Sequence, residues 1–372
     1  MPADDPEERF RVCFKQWQDR FSTYDQAVDV ISCLELFFEE GYAERLDHFE
    51  RFPRDADSGF TPDATVLFEN GYGLVIELKR TFPRDDTAFR REIDQLRSYD
   101  GGMAFQSSDG GSKVPDVMDI MLLIKFDNSN EIFRRFNTIC EEEGIEFEHN
   151  LVFMEYNYDA SNSVEKYVIR KWMGDNREFR DGLGDDGLEA LLGVRGLPII
   201  VPPAKAAERN LTRVFINDEP PEIYTVVFLW TRVLYNLLDG EQRERWRVAG
   251  PDRTLPIDLD VDELVRFVND RIVERGMVRK RWMTRAMEFL RACGLATDLP
   301  DGRARVLYRN LRQMTGARKY ASDGQQEFDR VRDLGAYFID LYCRRLVEGR
   351  AVPEEEEATP DGPAEQRSLL EF

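Results

Sequence analysis

The sequence predicts an α/β fold in which helices flank a mixed β-sheet, followed by a mainly helical C-terminal region. The first 172 residues alternate between segments of helical period and short strand-like stretches. In order, these are a helix at 24–42, strands at 63–68 and 74–79, a helix at 85–99, a strand at 117–126, a helix at 131–143, and strands at 150–157 and 164–172. Adjacent strands combined with helical crossovers indicate a mixed sheet that is covered on both faces.

The C-terminal region has a different pattern. It contains two helical segments, a two-stranded stretch that turns at Pro300-Asp301-Gly302, and a last helix at 325–347. The helices and the two-stranded wing resemble a winged-helix module. The predicted organisation has four parts: an α/β domain at 1–175, a helical connecting region at 176–255, a winged-helix-like domain at 256–347, and a disordered acidic tail at 348–372.

The composition and the residue patterns argue against several classes of protein. The N-terminus lacks the apolar core of a signal peptide, and the longest apolar run, residues 223–238, is interrupted by Arg232. We therefore expect a cytoplasmic protein without a membrane span, in which this run is either a core helix or a dimer surface. The five cysteines show no metal-site spacing, which favours reduced, buried thiols. Two isolated histidines argue against a catalytic triad, and no phosphate-binding glycine loop indicates an ATPase.

The net charge of −21 argues against a nucleic-acid partner only on average, because binding depends on local charge. Residues 276–319 contain eleven basic side chains and three acidic ones. Basic residues on a helix and its wing are suited to phosphate contacts, so we expect DNA binding, although such modules also serve as protein-contact surfaces. The DNA-contacting candidates are Arg279, Lys280, Arg281, Arg285, Arg303 and Arg305 in this region, with Arg80 and Arg84 at the edge of the α/β domain.

The C-terminal peptide ends in Gln366-x-x-Leu369-x-x-Phe372, which resembles sliding-clamp-binding peptides of the PIP-box type. That resemblance implies that the glutamine fills a polar pocket and that the leucine and the aromatic ring fill an apolar one. Only one aromatic residue is present where the family usually has two. The alternative is a tail that folds back on its own domain.

The segment from Phe60 to Phe82 carries the candidate chemistry. In a strand, Glu77 and Lys79 point to the same face because the side-chain period is two. With a two-residue turn at Asn70-Gly71, Asp63 would oppose Leu78, and its carboxylate would lie on the other face from Glu77. A three-residue loop from Glu69 to Gly71, with Gly71 left-handed, instead places Asp63 opposite Glu77. The sequence is compatible with both turns, and only the second permits a metal site.

These residues resemble the PD-(D/E)XK nuclease superfamily. Pro62-Asp63 and Glu77-Leu78-Lys79 fit its signature, and Gln95 with Tyr99 fits the Gln-x-x-x-Tyr element of RecB-type members. The resemblance spans about residues 20–172 and implies a restriction-endonuclease-like core. It also implies that Asp63, Glu77 and the backbone carbonyl of Leu78 bind Mg²⁺ or Mn²⁺, that Lys79 assists the attacking water, and that Gln95 supports the site.

A further metal ligand is expected from the first helix, where Glu35 shares a face with apolar residues and Glu39 is its competitor. The sequence thus predicts a metal-dependent DNA endonuclease that is positioned on DNA by a basic winged-helix domain and acts in repair, replication or defence against foreign DNA. The alternative is a noncatalytic DNA-binding or scaffold protein that retains the nuclease fold.

Overall fold

The computed structural model of the chain describes residues 5–53, 61–159, 166–184, 187–192, 197–199, 215–248, 254–273, 278–309 and 325–349. The chain divides into two compact units. The sheet unit comprises residues 25–210 and 215–218, and the helical unit comprises residues 1–24, 211–214 and 219–372. This division differs from the four predicted parts, because the first 24 residues belong with the C-terminal region and residues 176–210 belong with the sheet.

The sheet unit is built on seven strands in the order β1-β2-β3-β6-β7-β8-β9. The strands are β1 (Leu46–Arg51), β2 (Ala64–Phe68), β3 (Tyr72–Lys79), β6 (Val117–Lys125), β7 (Asn150–Asp159), β8 (Lys166–Lys171) and β9 (Leu197–Ile199), with β4 (Phe105–Gln106) and β5 (Ser112–Lys113) pairing separately. Strands β3, β6 and β7 are parallel, whereas the other neighbours are antiparallel. The predicted mixed sheet is confirmed.

Helices cover this sheet on both faces. They are α1 (Pro6–Gly41), α2 (Asp86–Asp100), α3 (Phe126–Glu143) and the short α4 (Leu188–Leu192). One core cluster joins apolar residues of α2 and α3 to Leu67 of β2, Val75 of β3 and alternate residues of β6 and β7. On the other face, Phe38 and Tyr42, at the end of α1, pack against Phe68. The odd-numbered residues of β3 therefore face α2, because Val75 belongs to the cluster.

Strand β1 was not predicted from the sequence. Its residues, LDHFER, include four polar side chains and show only partial burial. The strand lies at the edge of the sheet, where charged residues are typical because they discourage pairing with other chains. Its pairing with β2 brings Arg51 opposite Ala64, next to Asp63.

In its described residues after α1, the helical unit contains two helices, a strand, two helices, two further strands and a last helix. Its elements after α1 are α5 (Glu222–Phe228), which continues as a π-helical turn (Leu229–Val233), α6 (Gly240–Val248), β10 (Thr254–Leu259), α7 (Val261–Arg271), α8 (Lys280–Ala292), β11 (Ala296–Asp298), β12 (Ala304–Arg309) and α9 (Gln325–Val347). The three strands form an antiparallel sheet in the order β10-β12-β11. The sequence predicted β11 and β12 as a wing and did not predict β10.

The long apolar run is part of the core of the helical unit. Its Trp230 is fully buried and packs edge-on against Phe338 of α9, at 5.0 Å between ring centroids. Of the two alternatives for this run, the core helix is therefore the one observed. Within the described ranges, no helix is long and apolar enough to cross a membrane.

A disulfide bond joins Cys13 of α1 to Cys343 of α9. The expectation of reduced thiols throughout is therefore wrong for these two residues, whereas Cys33, Cys140 and Cys293 are free. The two cysteines lie 330 positions apart, so no sequence spacing indicated the pair. Their helices pack together through aromatic rings, which accounts for the proximity of the two sulfur atoms: Trp17 contacts Phe289 and Tyr342 at 5.1 Å each.

Candidate active site

The hairpin between β2 and β3 has the three-residue loop. Ala64 pairs with Ile76 and Val66 with Leu74, so the same register continued by one residue places Asp63 opposite Glu77. Gly71 closes the loop at a φ of 83°, and its N–H donates to the carbonyl of Phe68 at 3.0 Å. Of the two turns that the sequence allows, the structure has the one that places these two carboxylates on the same face.

Gly71 is required at this position for two reasons. A φ of 83° is unfavourable for residues with a Cβ, and an added Cβ would lie 2.6 Å from Oδ2 of Asp116. We expect Gly71→Ala to lower the free energy of unfolding by about 1–2 kcal/mol in urea titrations. Gly110→Ala is the matched control, because Gly110 has a φ of 80° with no atom within 4 Å of the added Cβ. Equal losses in the two variants would show that the contact with Asp116 has no effect.

Asp63 precedes β2 and is almost completely buried, with 3% of its surface exposed. The backbone N–H of Leu78 donates to Oδ2 of Asp63 at 2.8 Å, and the backbone N–H of Asn217 donates to Oδ1 at 3.3 Å. Burial raises the pKa of Asp63 well above its ordinary value, and repulsion from Glu77 and Asp218 raises it further. The N–H donor of Leu78 and the positive charge of Lys79 do not offset these effects, so the charged form of this carboxylate is destabilised.

Glu77 and Lys79 form the centre of the site. The ammonium Nζ of Lys79 lies 2.9 Å from Oε1 of Glu77 and 2.6 Å from Oε2 of Glu92, and it donates to Oε1 of Gln95 at 2.8 Å. Burial raises the pKa of Glu77, although Lys79 partly offsets this effect. Burial alone would lower the pKa of Lys79, but Glu77, Glu92 and Asp218 together outweigh it, and the net shift is upward.

Helix α2 presents the predicted Gln-x-x-x-Tyr element to Glu77. The side-chain amide of Gln95 donates to Oε1 of Glu77 at 3.0 Å, and the hydroxyl of Tyr99 donates to Oε2 at 2.9 Å. Positions four apart lie on one face of a helix, and the same face is buried against the sheet through Leu96 and Ile93. Both oxygens of Glu77 are thus fixed in orientation by side chains from one helix.

Two acidic residues of the site were not predicted. Glu92 lies one helical turn before Gln95 on α2, and helical spacing from Gln95 and Tyr99 could have identified it. Asp218 comes from the short segment 215–218, and its Oδ2 lies 3.1 Å from Nε of Arg80. No local pattern links Asp218 to a hairpin nearly 140 residues earlier in the chain.

The site carries an excess of negative charge. Among the described residues, it contains four carboxyl groups, of Asp63, Glu77, Glu92 and Asp218, and two cations, Lys79 and Arg80, besides the phenol of Tyr99. Two cations against four carboxylates leave a formal excess of two negative charges. A single divalent cation would neutralise that excess, and carboxylate oxygens are the ligands that Mg²⁺ prefers.

Glu35 lies on α1 in a buried ion pair. Its Oε2 lies 3.0 Å from Nε of Arg51, and the same guanidinium donates to the hydroxyl of Ser32 at 2.7 Å. Its competitor Glu39 is exposed. Among the residues that the structure describes, no group of three or more His, Cys, Asp or Glu side chains is arranged to hold a metal ion. A metal at the hairpin would therefore need backbone, water or substrate oxygens besides the two opposed carboxylates.

The predicted DNA-contacting residues are largely paired with acids. Lys280 pairs with Asp262, Arg303 with Asp301 and Arg305 with Asp258, while Arg281 and Arg285 both pair with Glu219. Arg84 and Arg279 are exposed. In four of these pairings the acid lies outside residues 276–319, and these acids are Glu219, Asp258 and Asp262. The net charge of the segment alone therefore overstates the positive charge of the folded surface. The clamp-binding candidates Gln366, Leu369 and Phe372 lie outside the described residues.

Comparisons with protein-family models, with curated proteins and with solved structures found no match to this chain. The assignment of the candidate site therefore rests on the geometry of its residues alone. That geometry consists of two opposed buried carboxylates, a lysine on the same face, and an amide and a hydroxyl that orient one carboxylate.

Proposed function

We propose that the chain is a metal-dependent nuclease of the PD-(D/E)XK type that hydrolyses phosphodiester bonds in DNA. The observation that carries this proposal is the hairpin register, which brings Asp63 opposite Glu77 with Lys79 on the same face. A different turn would have separated the two carboxylates. The orientation of Glu77 by Gln95 and Tyr99 supports the same function, because a metal ligand must be held in place by its neighbours.

Asp63, Glu77 and the backbone carbonyl of Leu78 are the groups that would hold Mg²⁺ or Mn²⁺. The raised pKa of Asp63 and the excess of two negative charges fit a divalent ion at this position. When bound, such an ion supplies polarisation of the phosphodiester and a water of lowered pKa. Glu35 is not supported as an additional ligand by this geometry, because its partner Arg51 pairs with Ala64 on the face that α1 covers, whereas Asp63 and Glu77 face α2.

Lys79 has a positioning role in this proposal. An ammonium has three donors, and those of Lys79 are directed at Glu77, Glu92 and Gln95. It therefore holds Glu77 in place and offsets negative charge that develops on the phosphate during attack. Gln95 bridges Lys79 and Glu77, so it fixes the distance between the cation and the carboxylate.

The helical unit is proposed to place DNA through a winged-helix module. The support is the order of α5, β10, α7, α8, β11 and β12, with β12 between the other two strands. In helix-turn-helix arrangements of this kind, the second helix of the pair enters the groove, which here is α8 with Arg281 and Arg285. A cytoplasmic location, contact with a sliding clamp, a homodimer, and a role in repair, replication or defence remain predictions.

A cleavage assay tests the proposed function. The full-length protein is incubated with a mixture of duplex, flap and single-stranded DNA and with Mg²⁺ or Mn²⁺, and parallel reactions contain EDTA. We expect cleavage that requires the metal and that is lost in Asp63→Ala. If the wild type and Asp63→Ala cut equally little, the noncatalytic scaffold function replaces this proposal.

A further inference from the structure

We infer that Asp218 and Glu219 form an acidic strap that competes with nucleic-acid phosphate for the cations of this protein. The inference rests on the proposed function, and it concerns how that function is regulated. The two residues are adjacent in the sequence, and the division between the two units falls between them. Each residue neutralises arginine side chains within its own unit.

Glu219 forms ion pairs with two arginines, as a phosphate group would. Its Oε2 lies 2.7 Å from a terminal nitrogen of Arg281, and its Oε1 lies 2.8 Å from a terminal nitrogen of Arg285. These arginines are four residues apart on α8, so they project from one face of the helix. About half of each arginine side chain remains exposed, so a phosphate group can approach both.

Asp218 pairs with Arg80, which directly follows Lys79 in the chain. Its negative charge also acts on the two candidate metal ligands, Asp63 and Glu77. A phosphodiester entering the site brings the same charge to the same arginine. Asp218 and a substrate phosphate are therefore alternatives for Arg80.

The strap is held in place from both sides. Before it, Phe215 and Ile216 are buried in the sheet unit, and the side chain of Asn217 donates to the carbonyl of Thr61. After it, two prolines precede α5. This anchoring keeps the two carboxylates beside their arginines at high local concentration. The ion pairs themselves are partly exposed and hence weak, so a polyanion can displace them.

The consequence is selectivity for substrates that present several phosphates at once. A single phosphate must displace a carboxylate from its arginine. Because one anion replaces another, the free energy of this exchange is close to zero. A nucleic acid contacts several cations together and releases its own counterions, which gives a net driving force. The strap thus lowers the affinity for ligands that present only one phosphate. The net charge of −21 already disfavours weak contacts with nucleic acid.

The test uses the full-length double variant Asp218→Asn/Glu219→Gln, which removes both charges and keeps side-chain size. The matched control is Glu7→Gln/Glu241→Gln, which removes two charges from exposed pairs with Arg11 and Arg245. Binding of a fluorescent DNA duplex with a single-stranded overhang is measured by anisotropy in EDTA, over a range of salt concentrations. Circular dichroism checks that both variants are folded.

We expect the strap variant to bind the duplex about tenfold more tightly than the control, with a salt dependence that is steeper by about 0.9 for each additional phosphate that is neutralised. Adding Arg281→Gln/Arg285→Gln to the strap variant should remove the part of this increase that α8 contributes and leave only the smaller gain at Arg80. The single variant Glu219→Gln should fall between wild type and double variant. Binding no tighter than the control, or no binding by any variant, overturns the inference. Failure of the proposed function is distinguished because it appears as a loss of metal-dependent cleavage, which this binding assay does not require.

Discussion

Asp63→Asn is expected to abolish metal-dependent cleavage while making the metal-free protein more stable. The substitution removes a buried negative charge that is repelled by Glu77 and Asp218, and the amide oxygen can still accept from the N–H of Leu78. We expect cleavage to fall by at least about 10²-fold. The free energy of unfolding without metal should rise by about 0.5–2 kcal/mol, as is common when a strained functional group is neutralised.

The metal dependence of stability gives this prediction a second readout. Mg²⁺ at about 100 times its dissociation constant should stabilise the wild type by about 2.7 kcal/mol, whereas Asp63→Asn should be stabilised little. The matched control is Asp127→Asn, an exposed acid in the first turn of α3 that should retain both cleavage and the response to Mg²⁺. Equal stabilisation of wild type and Asp63→Asn by Mg²⁺ would contradict the assignment of Asp63 as a ligand.

Lys79→Met is expected to have the largest effect on stability. The side chain of Lys79 is about 10% exposed, and its loss leaves the carboxylate of Glu77 buried without its cation. Breaking a buried pair by removing one partner typically costs about 3–5 kcal/mol. We expect a loss of this size in urea unfolding of the metal-free protein, together with loss of cleavage.

A double-mutant cycle separates charge from packing in this prediction. In Lys79→Met/Glu77→Gln both charges are absent, so most of the lost stability should return while cleavage remains absent. The hydroxyl of Tyr99 and the amide of Gln95 can still form hydrogen bonds to the new glutamine. If the double variant were as unstable as Lys79→Met, the cost would come from lost packing of the lysine stem rather than from an unpaired charge.

The parts of the site that could be predicted are local in sequence. The turn chemistry of Glu69-Asn70-Gly71 narrowed the strand register to two alternatives, because glycine is the residue that adopts a left-handed conformation without strain. The resemblance to the Gln-x-x-x-Tyr element predicted that Gln95 and Tyr99 would support the site or contact the nucleic-acid backbone, and helical period places residues four apart on one face of α2. Turn type and helical period depend on a few neighbouring residues, and these relations are visible in a sequence.

The parts that could not be predicted depend on contacts between distant segments. Asp218 reaches Arg80 from a separate segment of the chain, and Asp258 reaches Arg305 across the β10–β12 pair. Strand β10 alternates exposed and less exposed residues, but its sequence contains a proline, which argues against a strand. The charge summed along residues 276–319 predicted a basic surface. In the folded chain, acidic residues from outside this segment form ion pairs with its basic side chains.

The bond between Cys13 and Cys343 makes the oxidised chain a covalent ring of more than 300 residues. Every strand in the described part of the chain lies inside that ring. A single backbone cut anywhere between the two cysteines therefore leaves one molecule, and its two pieces separate only after reduction. Closing a loop of this length also limits the expanded states of the unfolded chain, an effect on the order of 5 kcal/mol by loop entropy. Towards proteolysis and unfolding, the oxidised protein should therefore behave as a nearly circular polypeptide.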